Sequence, residues 1–200
     1  FMYCNNHKKI SNNRTIGITS NNLDFFQKEI IKIKKELFWE INKIEIYNEQ
    51  NKKEKILNFH KTNNTLFSVI KNNDLYNLLF NSLKKNKNFN KVIIKDKYFY
   101  KTIIQNKKYD LIINCDVNNE ISKKYFYRKF LKNYKSKAYV TIINHNKTEN
   151  KKAIQIFTKY GPIAFLPISE SQTSIVYSIK NKSINMDSNL SQSTFEKIIF

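Results

Sequence analysis

Glycine and proline are scarce in this chain, with two of each among 200 residues. The two glycines, Gly17 and Gly161, are too few and too far apart for a G-x-G-x-x-G dinucleotide fingerprint or a phosphate-binding P-loop. If the protein uses a nucleotide cofactor, we therefore expect its main pyrophosphate cradle to lie outside these residues.

Cysteine and histidine are also rare, which narrows the chemistry available. Cys4 and Cys115 cannot form a disulfide framework or a cysteine-based zinc site. His7, His60 and His145 are scattered without metal-ligand spacing, so we predict no metal site. No apolar run approaches the ~20 residues that a membrane span requires. A reducing, cytoplasmic location fits this pattern.

The charge is strongly positive, but arginine is nearly absent. The net charge is +20, and Arg14 and Arg128 are the only arginines. Base recognition in nucleic acids favours the planar guanidinium fork, which lysine cannot reproduce. The lysines are spread along a chain biased toward residues with A/T-rich codons. We therefore disfavour a lysine-rich nucleic-acid-binding protein, which stays the weakest alternative.

Hydrophobic periodicity predicts a helix and three strands in the first seventy residues. Ser20–Asn22 offers side-chain oxygens for an N-cap, and apolar residues at helical spacing continue to Leu37, which predicts about four turns. Lys43–Asn48, Ile56–His60 and Leu66–Ile70 have strand character and are expected to form one small sheet.

A second helix and a buried strand are predicted in the middle of the chain. Asn72 or Asn73 can cap a helix whose leucines share one face. Val92–Ile94 and Tyr109–Cys115 have strand length, and the second lacks polar alternation, as expected of a parallel strand buried on both faces. A further helix is expected near Glu120–Phe130, and Cys115 is expected to be a small buried residue rather than a nucleophile.

The last part of the chain has an antiparallel β pattern. Four strands separated by polar turns are predicted at Ala138–His145, Ala153–Thr158, Ile163–Ile168 and Ser174–Ile179. The order of elements favours an α/β (α+β) protein whose two lobes alternate along the sequence.

Two charged residues are candidates for ligand contacts. Arg14 precedes a short apolar segment and a capped helix, so its fork could hold a phosphate, although a surface ion pair is the simpler explanation. Asp116 ends the predicted parallel strand, where ligands of α/β sheets bind, but it could equally cap the following helix.

A glycine and both prolines fall within seven positions, Gly161 to Pro167. Glycine permits backbone angles that other residues resist, and proline fixes its own φ angle, so this segment predicts a hairpin with a shaped turn. A turn without a ligand role and a wall of a substrate cavity are equally consistent with it.

The order and spacing of these motifs resemble one enzyme family. Lys137–Val140 leading to His145, Gln155–Thr158, Gly161–Pro167 and Thr173–Ser178 are similar to the central section of the flavin-dependent hydroxylases of ubiquinone biosynthesis. This 2-polyprenylphenol hydroxylase family is related to para-hydroxybenzoate hydroxylase. Arg14 looks like the family's arginine near the flavin.

The segment before Asp116 resembles the strand that leads into the family's Asp-Gly motif. This chain departs from that motif with Asp116-Val117, and it has Glu120 where the family has serine. Lys123 stands near the usual arginine. We expect these departures to weaken the cofactor contacts at this place or to relocate them.

The resemblance implies a para-hydroxybenzoate-hydroxylase-like fold in two interleaved lobes. A partial, Rossmann-like FAD lobe would comprise residues 1–42 and 71–130, and an antiparallel substrate lobe residues 43–70 and 131–200. The chain would be an internal fragment, because both glycine-rich FAD motifs of the family are missing. Arg14 and Asp116 would contact the cofactor. The substrate cavity would be lined by Gly161, Pro162, Phe165 and Pro167.

The implied activity uses FAD, NAD(P)H and O2 to hydroxylate a polyprenylated phenol. The enzyme would be cytoplasmic, with peripheral contact to the inner membrane, and partners in a ubiquinone-synthesis complex are expected. The alternative within the same family is a degenerate, non-catalytic relative that acts as a partner in such a complex.

Overall fold

The structure is a computed structural model that describes residues 2–5, 13–51, 55–60, 65–94, 99–105, 109–128 and 130–180. The chain divides into two compact units. The smaller unit comprises residues 1–10 and 80–133, and the larger unit residues 11–79 and 134–200. The lobe boundaries implied by the family resemblance stay a prediction.

The described helices and strands form a mixed α/β fold. In chain order they are β1 (Met2–Asn5), β2 (Thr15–Thr19), α1 (Ser20–Phe25), β3 (Phe38–Ile41), β4 (Lys43–Asn48), β5 (Lys55–His60), β6 (Phe67–Lys71), α2 (Asn72–Lys84), β7 (Lys91–Ile94), α3 (Phe99–Gln105), α4 (Glu120–Tyr125), β8 (Ser136–Asn144), β9 (Lys152–Thr158), β10 (Gly161–Pro167) and β11 (Gln172–Lys180). The mixed α/β class predicted from the sequence is confirmed.

A six-stranded sheet dominates the larger unit, in the order β5-β4-β9-β10-β11-β8. The four predicted C-terminal strands are confirmed, and they pair antiparallel as expected. The pairing of β4 with β9 is parallel.

The prediction of one small sheet from the early strands is wrong. β4 and β5 pair with each other at one end of the six-stranded sheet, whereas β6 lies between β2 and β3 in a separate three-stranded sheet. The pairing of β4 with β9 joins residues more than a hundred positions apart, and local sequence patterns carry no information about it.

The three-stranded sheet lies between two apolar layers of the larger unit. On one face, Ile41 and Val69 pack against Ala153 of the six-stranded sheet. On the opposite face, Ile18 and Ile70 pack against Leu75 of α2 and neighbouring side chains. Apolar residues at alternate strand positions therefore bury both faces of this sheet.

The first predicted helix is much shorter than expected. After α1, a π-helical turn covers Phe26–Ile30, and the chain becomes extended at Ile31. The side-chain amide of Gln27 donates to the carbonyl of Ile33 at 2.9 Å and accepts from its N–H at 3.1 Å. These bonds replace helical ones, and Ile33 is buried in an extended segment. The second predicted helix, α2, is confirmed from Asn72 onward.

The smaller unit contains a two-stranded parallel sheet of β1 and β7, with α3 and α4. The predicted buried strand at Tyr109–Cys115 is wrong, because residues 109–116 have no regular structure. Leu111 and Ile113 are 76% and 77% exposed, and Cys115 is exposed rather than buried. An apolar run forms a buried strand only where a neighbouring strand pairs with it and other layers cover it, and no described strand pairs with residues 109–116.

The helix predicted near Glu120–Phe130 is present as α4, but it ends at Tyr125. Within the described residues, no helix combines the length and apolar character needed to cross a bilayer.

Candidate functional site

Arg14 lies at the entrance to β2, next to the first residue of α2. Its carbonyl accepts a hydrogen bond from the N–H of Asn72 at 2.9 Å. The pairing of Thr15 with Lys71 continues this contact into the sheet, so Arg14 is held beside the N-terminus of a 13-residue helix. The Arg14 side chain is exposed, and among the described residues it forms no ion pair.

This arrangement suits an anionic group. The first N–H groups of a helix point out of its N-terminal end and carry a partial positive charge, which favours the binding of phosphate. The backbone of Arg14 lies at this helix end, so its guanidinium can reach a group bound there and offer it a full charge and a bidentate fork. Asp74 in the first turn of α2 supplies an opposing negative charge, so the site is only moderately positive.

Two side-chain hydrogen bonds attach this region to the six-stranded sheet. The hydroxyl of Thr15 donates to that of Ser174 at 3.1 Å, and Ser174 is fully buried. The ammonium of Lys71 donates to the side-chain oxygen of Gln172 at 3.3 Å. The paired strand residues next to Arg14 and Asn72 are therefore hydrogen-bonded to the six-stranded sheet.

The predicted cavity residues on β10 do not all share a face. Successive strand residues point to opposite sides, so Pro162 lies on one face of the sheet and Gly161, Phe165 and Pro167 lie on the other. Phe165 packs against the apolar cluster that includes Ile163, and Pro167 is fully buried. One sheet face cannot present all four residues to a ligand, and their role in a cavity stays a prediction.

The turn before β10 does require glycine. Gly161 has φ +144°, and a Cβ there would overlap the carbonyl oxygen of Ser178 on β11. The hydroxyl of Thr158 donates to the Gly161 carbonyl at 2.7 Å and lies 3.1 Å from the Tyr177 hydroxyl. The shaped hairpin predicted from the sequence is thus present in the structure.

Asp116 belongs to the smaller unit and takes part in a local turn. Its carboxylate accepts a hydrogen bond from the N–H of Asn118 at 2.9 Å. The helix cap weighed for Asp116 is provided by Asn119 instead, whose side chain accepts from the N–H of Ser122 at 2.9 Å. Arg14 and Asp116 thus lie in different units, and the cofactor role of Asp116 stays a prediction.

The sequence analysis did not identify the buried carboxylate of Glu45 on β4. Glu45 is 1% exposed, and its oxygens lie 2.6, 3.0 and 3.1 Å from the ammonium groups of Lys55, Lys43 and Lys152. The hydroxyl of Tyr47 also donates to it at 2.8 Å. Burial alone would raise the pKa of Glu45, but these four hydrogen bonds outweigh it and hold the pKa well below its ordinary value.

The alternation of Lys43, Glu45 and Tyr47 along β4 was a visible signal for part of this cluster. The position of Lys152 could not be read from the sequence, because it depends on the parallel pairing of β4 with the distant strand β9. The cluster joins three strands at the rim of the sheet, and its carboxylate is fully committed to neighbours.

The fold defines this chain as a mixed α/β protein with a large, mainly antiparallel sheet. A scan against known protein families finds no match, and a search of curated proteins finds none either. Among solved structures, a four-substitution variant of P. aeruginosa PqsL has a similar fold, with a TM-score of 0.67 and 9% sequence identity. The match covers 90% of this chain and 54% of PqsL, so the chain spans about half the length of that protein.

Proposed function

We propose that this chain is the central part of a flavin-dependent monooxygenase. The fold similarity to PqsL, a flavin-dependent monooxygenase, carries this proposal because it extends over 90% of the chain. The family resemblance of the sequence motifs points to the same class independently of the three-dimensional comparison.

Arg14 and the N-terminus of α2 are the groups that would hold a phosphate of FAD. The charge of Arg14 and the partial positive charge at the N-terminus of α2 fit that anion. Once bound and reduced by NAD(P)H, FAD supplies the oxygen activation that hydroxylates an electron-rich ring. The role of Arg14 in this proposal is to fix and neutralise the phosphate.

The strands of the smaller unit support the proposal that it is an incomplete dinucleotide-binding lobe. Its two parallel strands, β1 and β7, are fewer than such sheets normally contain, and Leu111–Ile113 is an apolar run with no described strand beside it. We propose that a glycine-rich strand from elsewhere in the protein pairs with this run and brings the main pyrophosphate cradle.

The proposed substrate is a polyprenylated phenol of ubiquinone biosynthesis. This part rests on the motifs between Lys137 and Ser178, which resemble the hydroxylases that act on such phenols. The six-stranded sheet that these motifs build would form the substrate layer.

Flavin retention tests the proposal. The protein expressed from its complete open reading frame should purify yellow, with a flavin absorption spectrum released on denaturation. Arg14→Ala should weaken FAD binding roughly tenfold, as expected for the loss of one charge-assisted phosphate contact. Arg128→Ala, which removes the other arginine, is the matched control and should leave FAD affinity unchanged.

A colourless protein that cannot be reconstituted with FAD would refute the flavoenzyme. Equal FAD affinity in wild type and Arg14→Ala would remove Arg14 from the site while leaving the enzyme class open to other evidence.

A non-catalytic relative is the second candidate. The observation that favours it is the departure at Asp116-Val117, where the Asp116 carboxylate is engaged by the N–H of Asn118. On this alternative the protein binds no FAD and co-purifies with enzymes of ubiquinone synthesis. Flavin content and affinity purification together distinguish the two.

The labelling rate of the Cys115 thiol tests the proposal that the lobe is incomplete in this chain. In a Cys4→Ser background of the 200-residue chain, Cys115 should react with a thiol reagent as fast as a small free thiol. In the protein from the complete open reading frame, pairing of the neighbouring strand should slow labelling at least about tenfold. Equal labelling of both proteins would contradict the proposed extra strand.

A further inference from the structure

The segment made of residues 123–128 and 130–132, called here the aromatic segment, exposes several large apolar side chains. Its large apolar side chains are between about half and almost fully exposed, at Tyr125 (48%), Phe126 (60%), Tyr127 (69%), Phe130 (94%) and Leu131 (86%). All belong to the smaller unit. Contiguous exposed apolar groups of this kind mark interaction surfaces in soluble proteins.

Basic residues are interleaved with these aromatic side chains. The described ones are Lys123, Lys124, Arg128 and Lys132, and no acidic residue occurs between Glu120 and Glu149. The Lys124 ammonium lies 5.2 Å from the centre of the Tyr125 ring, and Lys123 pairs with Glu120 at 2.7 Å. The surplus positive charge therefore lies among the apolar side chains themselves.

We propose that the aromatic segment docks on the surface of an anionic lipid bilayer. Tyrosine and phenylalanine rings partition into the region between headgroups and acyl chains, where their apolar bodies leave water. Lysine and arginine beside them attract the negative headgroups, and their long side chains reach the phosphate level. The segment presents both kinds of group together.

A bilayer fits this surface better than a nucleic acid or a folded partner. Single-stranded nucleic acids also use aromatic and basic groups, but Leu131 offers no ring on which a base can stack. From Phe126 onward the described residues of the segment form no helix or strand. A lipid surface, unlike a protein groove, accepts such side chains without a matching shape.

This inference assigns a membrane contact to one segment of the chain, and it is argued from the exposed side chains and charges of that segment. It would also bring the proposed polyprenylated substrate, which resides in membranes, to the protein. Because vesicle binding needs no flavin, the two proposals can fail separately.

Vesicle co-sedimentation tests the inference. The protein should pellet with vesicles of three parts phosphatidylcholine to one part phosphatidylglycerol, and much less with phosphatidylcholine alone. The triple variant Tyr127→Ser, Phe130→Ser, Leu131→Ser should reduce partitioning at least about tenfold. Arg128→Gln should reduce it roughly fivefold on anionic vesicles only, and added salt should mimic that loss.

The control variant removes apolar side chains elsewhere that are about half exposed. Ile56→Ser with Phe59→Ser on β5, which are 51% and 48% exposed, should leave vesicle binding unchanged. Circular dichroism of every variant checks that the fold is kept. Absence of vesicle binding by the folded protein, or equal loss in both apolar variants, would overturn the proposal.

Two further results would contradict a lipid partner. Binding to neutral and anionic vesicles with equal strength would show that the basic residues have no role. A gel shift with single-stranded RNA that depends on Phe130 and Tyr127, in a protein that ignores vesicles, would assign the segment to nucleic acid instead.

Discussion

Similar apolar sequences are buried in the larger unit of this protein and exposed in the smaller unit. In the larger unit, Ile163 on β10 is 5% exposed and lies between two paired strands. In the smaller unit, Ile113 belongs to a run of equal apolar character but is 77% exposed and forms no strand. The difference comes from the neighbours that each segment finds.

A strand is stable only when its backbone groups and both side-chain faces find partners. β10 obtains them from β9 and β11, which are close in sequence and joined to it by short turns. Leu111–Ile113 would need a parallel neighbour, and parallel pairing requires a distant segment of chain. A hydrophobic run therefore indicates the capacity to form a strand, not the presence of its partners.

The largest effect is expected from a substitution at Gly161, which tests what stabilises the larger unit. Gly161→Ala places a Cβ against the Ser178 carbonyl at a φ angle that side chains resist, so either β10 or β11 must shift. We expect a loss of about 4 kcal/mol in the free energy of unfolding, measured by chemical denaturation.

Gly17→Ala is the matched control for this substitution. Its new Cβ would lie 3.3 Å from an edge of the Phe67 ring, a side chain that can move, and its backbone angles are ordinary for a strand. We expect a change within about 1 kcal/mol. Equal losses for both variants would show that the backbone angle of Gly161 has no special importance.

The second prediction tests the contrast between the units directly. Ile163→Ala should lower the free energy of unfolding by about 3 kcal/mol, because it leaves a cavity in the apolar cluster around Ile175 and Tyr177. In the 200-residue chain, Ile113→Ala should change it by less than about 0.5 kcal/mol, because that side chain is already in water. A loss above ~2 kcal/mol for Ile113→Ala would mean that the run is buried in solution.

Local patterns were sufficient for most of the six-stranded sheet. Alternation and turn residues located β8 to β11, and the combination of Gly161 with two prolines identified the shaped hairpin. These features follow from the φ angles that glycine and proline permit and from the two-residue period of strands. They need no knowledge of distant residues.

The errors come from contacts that hydrophobic spacing does not show. The helix predicted through Leu37 stops early because the Gln27 side chain takes the backbone groups of Ile33, although the apolar spacing continues. The pairing of β4 with β9 joins residues that are distant in sequence, and so would any parallel strand that pairs with Leu111–Ile113. Among the candidate site residues, the sequence singled out Arg14, but only the structure shows Asn72 beside it.

The third prediction concerns the charged cluster at the rim of the larger unit. Glu45→Gln removes the negative charge that three lysines share, which leaves their ammonium groups to repel one another. These lysine side chains are 33% to 46% exposed and can hydrate, so we expect a loss of about 2 kcal/mol rather than the larger cost of a fully buried pair. Chemical denaturation at neutral pH measures this difference.

The pH dependence of stability gives the cluster a distinct signature. The pKa of Glu45 is lowered in the folded protein from its ordinary value of 4.5, so the unfolded chain binds the proton more readily. Its contribution is therefore present above pH 4.5 and is lost as the pH falls below that value. The gap in stability between wild type and Glu45→Gln should narrow over the same range, and a gap that is constant with pH would contradict this origin.

The smallest effect is expected from the corresponding change in the smaller unit. Glu120 pairs with Lys123 on one turn of α4, but the two side chains are 50% and 62% exposed. Water and salt screen such a pair, so Glu120→Gln should alter the free energy of unfolding by less than about 0.5 kcal/mol. Thermal melts in low and high salt measure this. A loss as large as that of Glu45→Gln would show that the ion pair in the smaller unit is shielded from water, and the contrast between a buried and an open unit would not hold in solution.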